Sequence, residues 1–171
     1  MLNIAANAIA LLRERGWTVG TCESLTGGMI CAALVDVPGA SKAVRGGLIT
    51  YQTDTKPLLA GVDAALIERC GVVSGEVARA MAAGARARLG VDIAVSATGM
   101  ASPGDPGDPP AGTVFVGVAS EKGVRDIPLH LQGSRMEIRQ QTVEAAIGAI
   151  LEETNPLTRS AGALPKGEPL K

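Results

Sequence analysis

Short aliphatic runs alternate with alanine-rich stretches of helical period along most of this chain, and that alternation constrains the fold more than any other feature. Leu2, Ile4, Ala5, Ala8, Ile9, Leu11 and Leu12 recur at helical spacing until Gly16, the pattern of an amphipathic helix closed by glycine. Residues 17–22 (WTVGTC) read as a strand, 29–35 as a helix stopped by Pro38-Gly39, and 47–51 (GLITY) as a second strand. Residues 56–59 and 64–69 read as short helical pieces. Ser74 is the expected N-cap of a longer helix, with Glu76 in its first turn, Val77, Ala80, Met81 and Ala85 on one face, and Leu89-Gly90 at its end. Residues 92–98 (DIAVSAT) are a buried-type strand, and 113–119 and 124–131 a hairpin turning at Lys122-Gly123. Ser134-Arg135-Met136-Glu137 is a capping box that opens a helix through Glu153. The expected fold is a single three-layer α/β/α domain over residues 1–154, with a mixed, central β-sheet, followed by a frayed tail over 155–171.

The length of 171 residues suits one domain. One Phe, one Tyr and one Trp leave an aliphatic core and exclude aromatic platforms for stacking bases or proline-rich peptides. Sixteen Lys+Arg against 17 Asp+Glu, a net charge of −1, predicts neither a nucleic-acid partner nor a basic membrane anchor. Cys22, Cys31 and Cys70 form no CxxC pair, and the lone His130 leaves no histidine pair for a metal. No run approaches the roughly 20 apolar residues of a membrane span, and the first segment has neither a basic lead nor a small-residue cleavage site. A cytoplasmic protein is the expectation. The apolar helix faces suggest a homo-oligomer.

Candidate chemistry begins at Glu23-Ser24-Leu25-Thr26-Gly27-Gly28. A serine at a strand-to-helix turn stands at the carboxyl edge of the sheet, where open α/β folds bind ligands. Gly27 and Gly28 would let a substrate approach the backbone, and the free amides of the new helix would meet a phosphate or an oxyanion. The plainer reading makes Ser24 or Thr26 an ordinary N-cap. The segment is neither a Walker loop nor a Gly-x-Ser-x-Gly elbow. His130 and Lys56 are candidate bases, a lysine serving when desolvation lowers its pKa. On residue type alone, however, Lys56 reads as a surface lysine, Tyr51 as a strand residue and His130 as a strand-end histidine. Thr98-Gly99 opens a Pro/Gly-rich loop at the same sheet edge. Arg135 and Arg139, one helical turn apart, are either an anion site or a solvated face. Asp105 and Asp108 read as turn formers rather than metal ligands.

Taken in order, several motifs resemble the CinA C-terminal domain family. They are the Glu23–Gly28 segment, Asp36-Val37-Pro38-Gly39, the stretch from Tyr51 to Lys56, and Gly71-Val72-Val73-Ser74 with the following Val77-Ala78-Arg79-Ala80-Met81. Thr98-Gly99-Met100-Ala101-Ser102-Pro103-Gly104 and Gly112-Thr113-Val114 complete the series. The resemblance implies a stand-alone, metal-free amidase that needs no cofactor and converts nicotinamide mononucleotide and water to nicotinic acid mononucleotide and ammonia. It also implies roles for single residues: Ser24 as nucleophile, Lys56 as base, Tyr51 as proton relay, and Thr98 with one arginine of the last helix, Arg139 before Arg135, at the substrate. In this scheme amides near Gly27-Gly28 would hold the oxyanion. Direct attack by a water remains open beside an acyl-enzyme. So do a different small amide as substrate and a non-catalytic nucleotide-sensing or partner-binding module. The chain departs from the family pattern at Leu25, at Ser102 within Ala-Ser-Pro, at Pro109, and in the acidic loop of Asp105 and Asp108.

Overall fold

The computed structural model describes residues 2–155; all but the first residue of the expected tail lies outside them. Five strands form one mixed sheet: β1 (Val19–Glu23), β2 (Val44–Ile49), β3 (Ile93–Gly99), β4 (Thr113–Ser120) and β5 (Gly123–His130). Their spatial order is β2-β1-β3-β4-β5. The first three strands run parallel and the hairpin β4–β5 closes the sheet antiparallel.

Helices α1 (Leu2–Arg15), α2 (Met29–Val35) and α5 (Arg135–Thr154) pack together on one face. Helices α3 (Ala64–Cys70) and α4 (Gly75–Leu89) cover the other. This is the expected three-layer α/β/α arrangement. Alternation along the strands feeds two apolar layers: Val19, Ile93, Val95 and Ala97 join Ile9, Leu12, Ile30 and Ile147 on the α1/α2/α5 side, whereas Cys22 and Ala94 join Val77, Met81 and Ala85 beneath α4. Among the described residues no helix is long and apolar enough to cross a membrane.

The side-chain caps of α4 and α5 fall where the sequence puts them, whereas α2 is capped by neither Ser24 nor Thr26. Ser74 Oγ accepts from the Val77 amide at the start of α4, and Ser134 and Glu137 complete the reciprocal capping box of α5. The strand bounds differ most from expectation at β1 and β2. β1 starts at Val19 because Thr18 is turned to Asp92, donating its amide (2.7 Å) and its hydroxyl (2.8 Å) to that carboxylate. β2 begins at Val44, through the Gly46-Gly47 pair, and ends at Ile49, so Tyr51 lies beyond the strand. The carboxyl ends of the three parallel strands deliver Ser24, Thr50 and Thr98 side by side. The Ser24 amide donates to Ala97 O (2.9 Å) and the Thr50 amide to Glu23 O (2.8 Å).

Candidate active site

Between Thr50 and α3 the chain makes a π-helical turn, Lys56–Ala60, closed by Gly61. Single π turns are frequent at functional sites. This one carries Lys56 inward, with no exposed surface, which corrects the surface reading. Its Nζ donates to the Thr50 carbonyl at 2.7 Å and to Ser24 Oγ at 3.3 Å. No carboxylate among the described residues lies within ion-pair distance of it. Burial without a counter-charge pushes the Lys56 pKa below its ordinary 10.5, because water no longer solvates the ammonium. The neighbouring Cys22 thiol, also buried, is pushed up to about 11 and stays protonated at neutral pH.

Ser24 and Lys56 lie at the floor of a cleft of about 320 Å³. Val72, Val73 and the loop from Thr98 to Pro103 form its walls, and the exposed Tyr51 and Arg135 stand at the mouth. Thr98 is buried, its hydroxyl donating to Val72 O at 2.8 Å, so it ties those two walls together. Arg135 bridges the mouth, with Nη1 donating to Ser102 Oγ (3.1 Å) and Nη2 to the Tyr51 hydroxyl (3.2 Å). The Tyr51 hydroxyl accepts from Arg135, and Lys56 meets Ser24 directly with no group between them.

The two arginines of α5 are placed differently. Arg135 lines the cleft; Arg139 does not, and instead donates from Nε to Leu25 O (2.9 Å) and from Nη2 to Thr26 O (3.1 Å). The glycine amides are likewise committed. The Gly27 amide donates to Ser24 O at 3.0 Å. Those of Gly28, Ile30 and Cys31 donate to the Glu23 carboxylate at 2.9, 3.0 and 2.8 Å. The expected free helix N-terminus is therefore filled by a side chain of the chain itself. Glu23, fully buried and also accepting from Thr21 Oγ1 (2.9 Å), organises the turn that carries Ser24, a part that the sequence reading does not assign to it. A signal existed: Gly28, the N-cap of α2 with φ 99°, has no side chain to cap with, so another group had to satisfy the first turn.

His130 is exposed at the end of β5, paired with Thr113, away from the cleft lining. The Asp105 amide donates to Asp108 Oδ2 (2.9 Å) in an exposed turn. Among the described residues no group of three or more His, Cys, Asp or Glu side chains is gathered to hold a metal ion. A larger groove of about 520 Å³ lies at the opposite end of the sheet. Its Lys122, Arg125, Glu152 and Glu153 pair with one another.

Fold and cleft together define an α/β/α domain with a buried serine–lysine pair at the carboxyl ends of parallel strands. The chain belongs to the CinA C-terminal domain family, whose model matches residues 1–154. It is 41% identical to a CinA-like protein of Frankia casuarinae over 142 residues, 83% of this chain and 33% of that protein. It is 39% identical to a putative competence-damage inducible protein of Limosilactobacillus reuteri over 155 residues, 89% of this chain and 37% of that protein. The chain thus spans about a third of the length of the curated relatives it matches. Among solved structures, the competence/damage inducible protein of Agrobacterium tumefaciens has a TM-score of 0.84 at 33% identity, covering 88% of this chain and 93% of that one. A CinA superfamily protein of Klebsiella pneumoniae has a TM-score of 0.86 at 27% identity, covering 90% and 96%.

Proposed function

We propose that this domain is an amidohydrolase acting on nicotinamide mononucleotide, releasing ammonia and nicotinic acid mononucleotide. The observation that carries the reading is the buried lysine without a counter-charge, 3.3 Å from the hydroxyl of a cleft-floor serine. A lysine whose pKa is lowered by burial is a base for a serine nucleophile. Lys56, neutral, takes the Ser24 proton as Oγ attacks the carboxamide carbon; the tetrahedral intermediate collapses, the C–N bond breaks, and the proton leaves with ammonia. Water then attacks the ester carbon and gives a proton to Lys56; the bond to Ser24 Oγ breaks and Lys56 returns the proton to Oγ. The direct Lys56–Ser24 contact supports this acyl-enzyme course over attack by a free water. At the mouth, the Arg135 guanidinium suits the 5′-phosphate of a mononucleotide.

The test is ammonia release from nicotinamide mononucleotide by the purified protein, with and without EDTA, beside free nicotinamide and glutamine. Turnover of the mononucleotide that survives EDTA and disappears in Ser24→Ala, with nucleotide binding retained, is the expected result. Binding without turnover by the native chain would instead favour a nucleotide-sensing module.

A further inference from the structure

We propose that Arg139 is a positioning residue for this reaction: it holds the turn after Ser24 so that the Leu25 backbone amide donates to the oxyanion formed at the carboxamide carbon. The inference rests on Ser24 being the nucleophile, as proposed above.

Three observations lead to it. First, the amides expected to serve are occupied: Gly27 bonds Ser24 O, and Gly28, Ile30 and Cys31 bond Glu23. The Leu25 amide has no acceptor among the described residues, although Leu25 is only 4% exposed and lines the cleft. A buried N–H without a partner is uncommon and costly. The residue following a nucleophile supplies one oxyanion donor in other serine hydrolases. Second, every carbonyl of the turn is held. Ser24 O accepts from Gly27, Leu25 O from Arg139, and Thr26 O from Arg139 and from the Met29 amide (3.2 Å). Because a trans peptide points its N–H opposite its C=O, fixing the Ser24 carbonyl toward Gly27 turns the Leu25 N–H the other way. Fixing the next two carbonyls stops the turn from rotating out of that pose. Third, Arg139 spends Nε and Nη2 on those carbonyls and is absent from the cleft lining, so it is placed to act on the backbone and not on the ligand.

The test compares Arg139→Met and Arg139→Lys with the native chain in two readouts, with thermal midpoints recorded for each. In steady-state hydrolysis of nicotinamide mononucleotide, Arg139→Met should lower kcat by about 10²- to 10³-fold, the size of one lost oxyanion donor, while KM stays within about threefold. Arg139→Lys, which can hold one carbonyl, should recover part of the loss. In labelling by a small alkyl fluorophosphonate, Ser24 Oγ bonds phosphorus, the P–F bond breaks, fluoride leaves and the serine proton passes to Lys56. Its rate should fall in parallel. Native rates in a folded Arg139→Met would overturn the proposal, as would a raised KM with unchanged kcat, which would make Arg139 a substrate ligand. If Arg139→Met does not fold, Arg139→Lys decides on the same criteria. A native chain that is labelled but leaves the mononucleotide untouched would remove the substrate reading alone, and labelling rates would still judge Arg139. A native chain that is neither labelled nor active would overturn both.

Discussion

Lys56 and Thr50 are joined by a 2.7 Å hydrogen bond from Nζ to the backbone carbonyl, and that bond restricts where the lysine's lone pair can point. A neutral amine has two N–H donors and one lone pair. With one donor committed to Thr50, rotation about the terminal bond can bring the lone pair onto the 3.3 Å line to Ser24 Oγ, and the serine hydroxyl then becomes the donor on that line.

Activity should therefore rise with pH. Since burial lowers the Lys56 pKa from 10.5, kcat/KM should increase through a pKa below 10.5 that is absent from Lys56→Met, whose turnover should fall by about 10²- to 10⁴-fold. Stability follows the same group. Between the lowered folded value and 10.5 the unfolded chain binds more protons, so stability rises with pH across that window. Below it the fold bears the whole cost of a buried cation. Urea denaturation of Lys56→Met at neutral pH should show a higher midpoint than the native chain and a flatter pH dependence.

Arg135→Met should weaken binding and leave the chemistry largely intact. Loss of a charge-assisted contact to phosphate corresponds to a KM raised by about 10- to 100-fold, with kcat changed far less. Ser102→Gly removes one of the two groups that engage Arg135 across the mouth and should lower KM, because the guanidinium then gives up less to reach a ligand. Steady-state kinetics at two salt concentrations would separate the charge effect, which screening weakens, from a change of shape.

Glu23→Ala should be among the most destabilising single changes in the chain. It leaves three backbone amides and the Thr21 hydroxyl without their acceptor in a fully buried place. The expected loss is about 3–5 kcal/mol, read as a lower urea midpoint. Glu23→Gln, which keeps one acceptor oxygen but turns an NH₂ toward N–H donors, should fall between.

Gly84→Ala should damage the site from behind. A Cβ at Gly84 would overlap the carbonyl oxygen of Ala60, the last residue of the π-helical turn that begins at Lys56. A loss of about 1–3 kcal/mol from overpacking is expected, with a further drop in kcat as the turn shifts. Gly148→Ala is the control: the nearest atom to its Cβ would be Ile4 Cδ1 at 3.9 Å. Helix propensity there should raise stability by up to about 1 kcal/mol, with native kinetics.

Legibility from sequence followed the range of the interactions involved. Ser74, Gly90, Ser134 and Glu137 were readable because a cap is satisfied by residues within one turn. β2 was read short because its Gly46-Gly47 pair signals a turn locally, while pairing of Val44 and Gly46 with Val19 and Gly20 extends the strand. Lys56 could not be read as buried from its neighbours, for its depth is set by α4 and by the strand ends above it. Arg135 and Arg139 are four residues apart on one helix, and periodicity cannot say which guanidinium reaches the cleft and which turns to the backbone. The Glu23 carboxylate was hidden for a similar reason: its partners Gly28, Ile30 and Cys31 belong to the next element, and only their geometry joins them.

The reach of Arg139 back to the Leu25 carbonyl, across 114 positions, has a consequence for the chain while it is being made. Ser24 and Lys56 leave the ribosome long before α5 exists, and until that helix docks nothing holds the Leu25 carbonyl, while Thr26 O has only the local Met29 amide. In the nascent chain the turn after Ser24 therefore lacks the guanidinium that braces it, and takes its final shape only once α5 has docked.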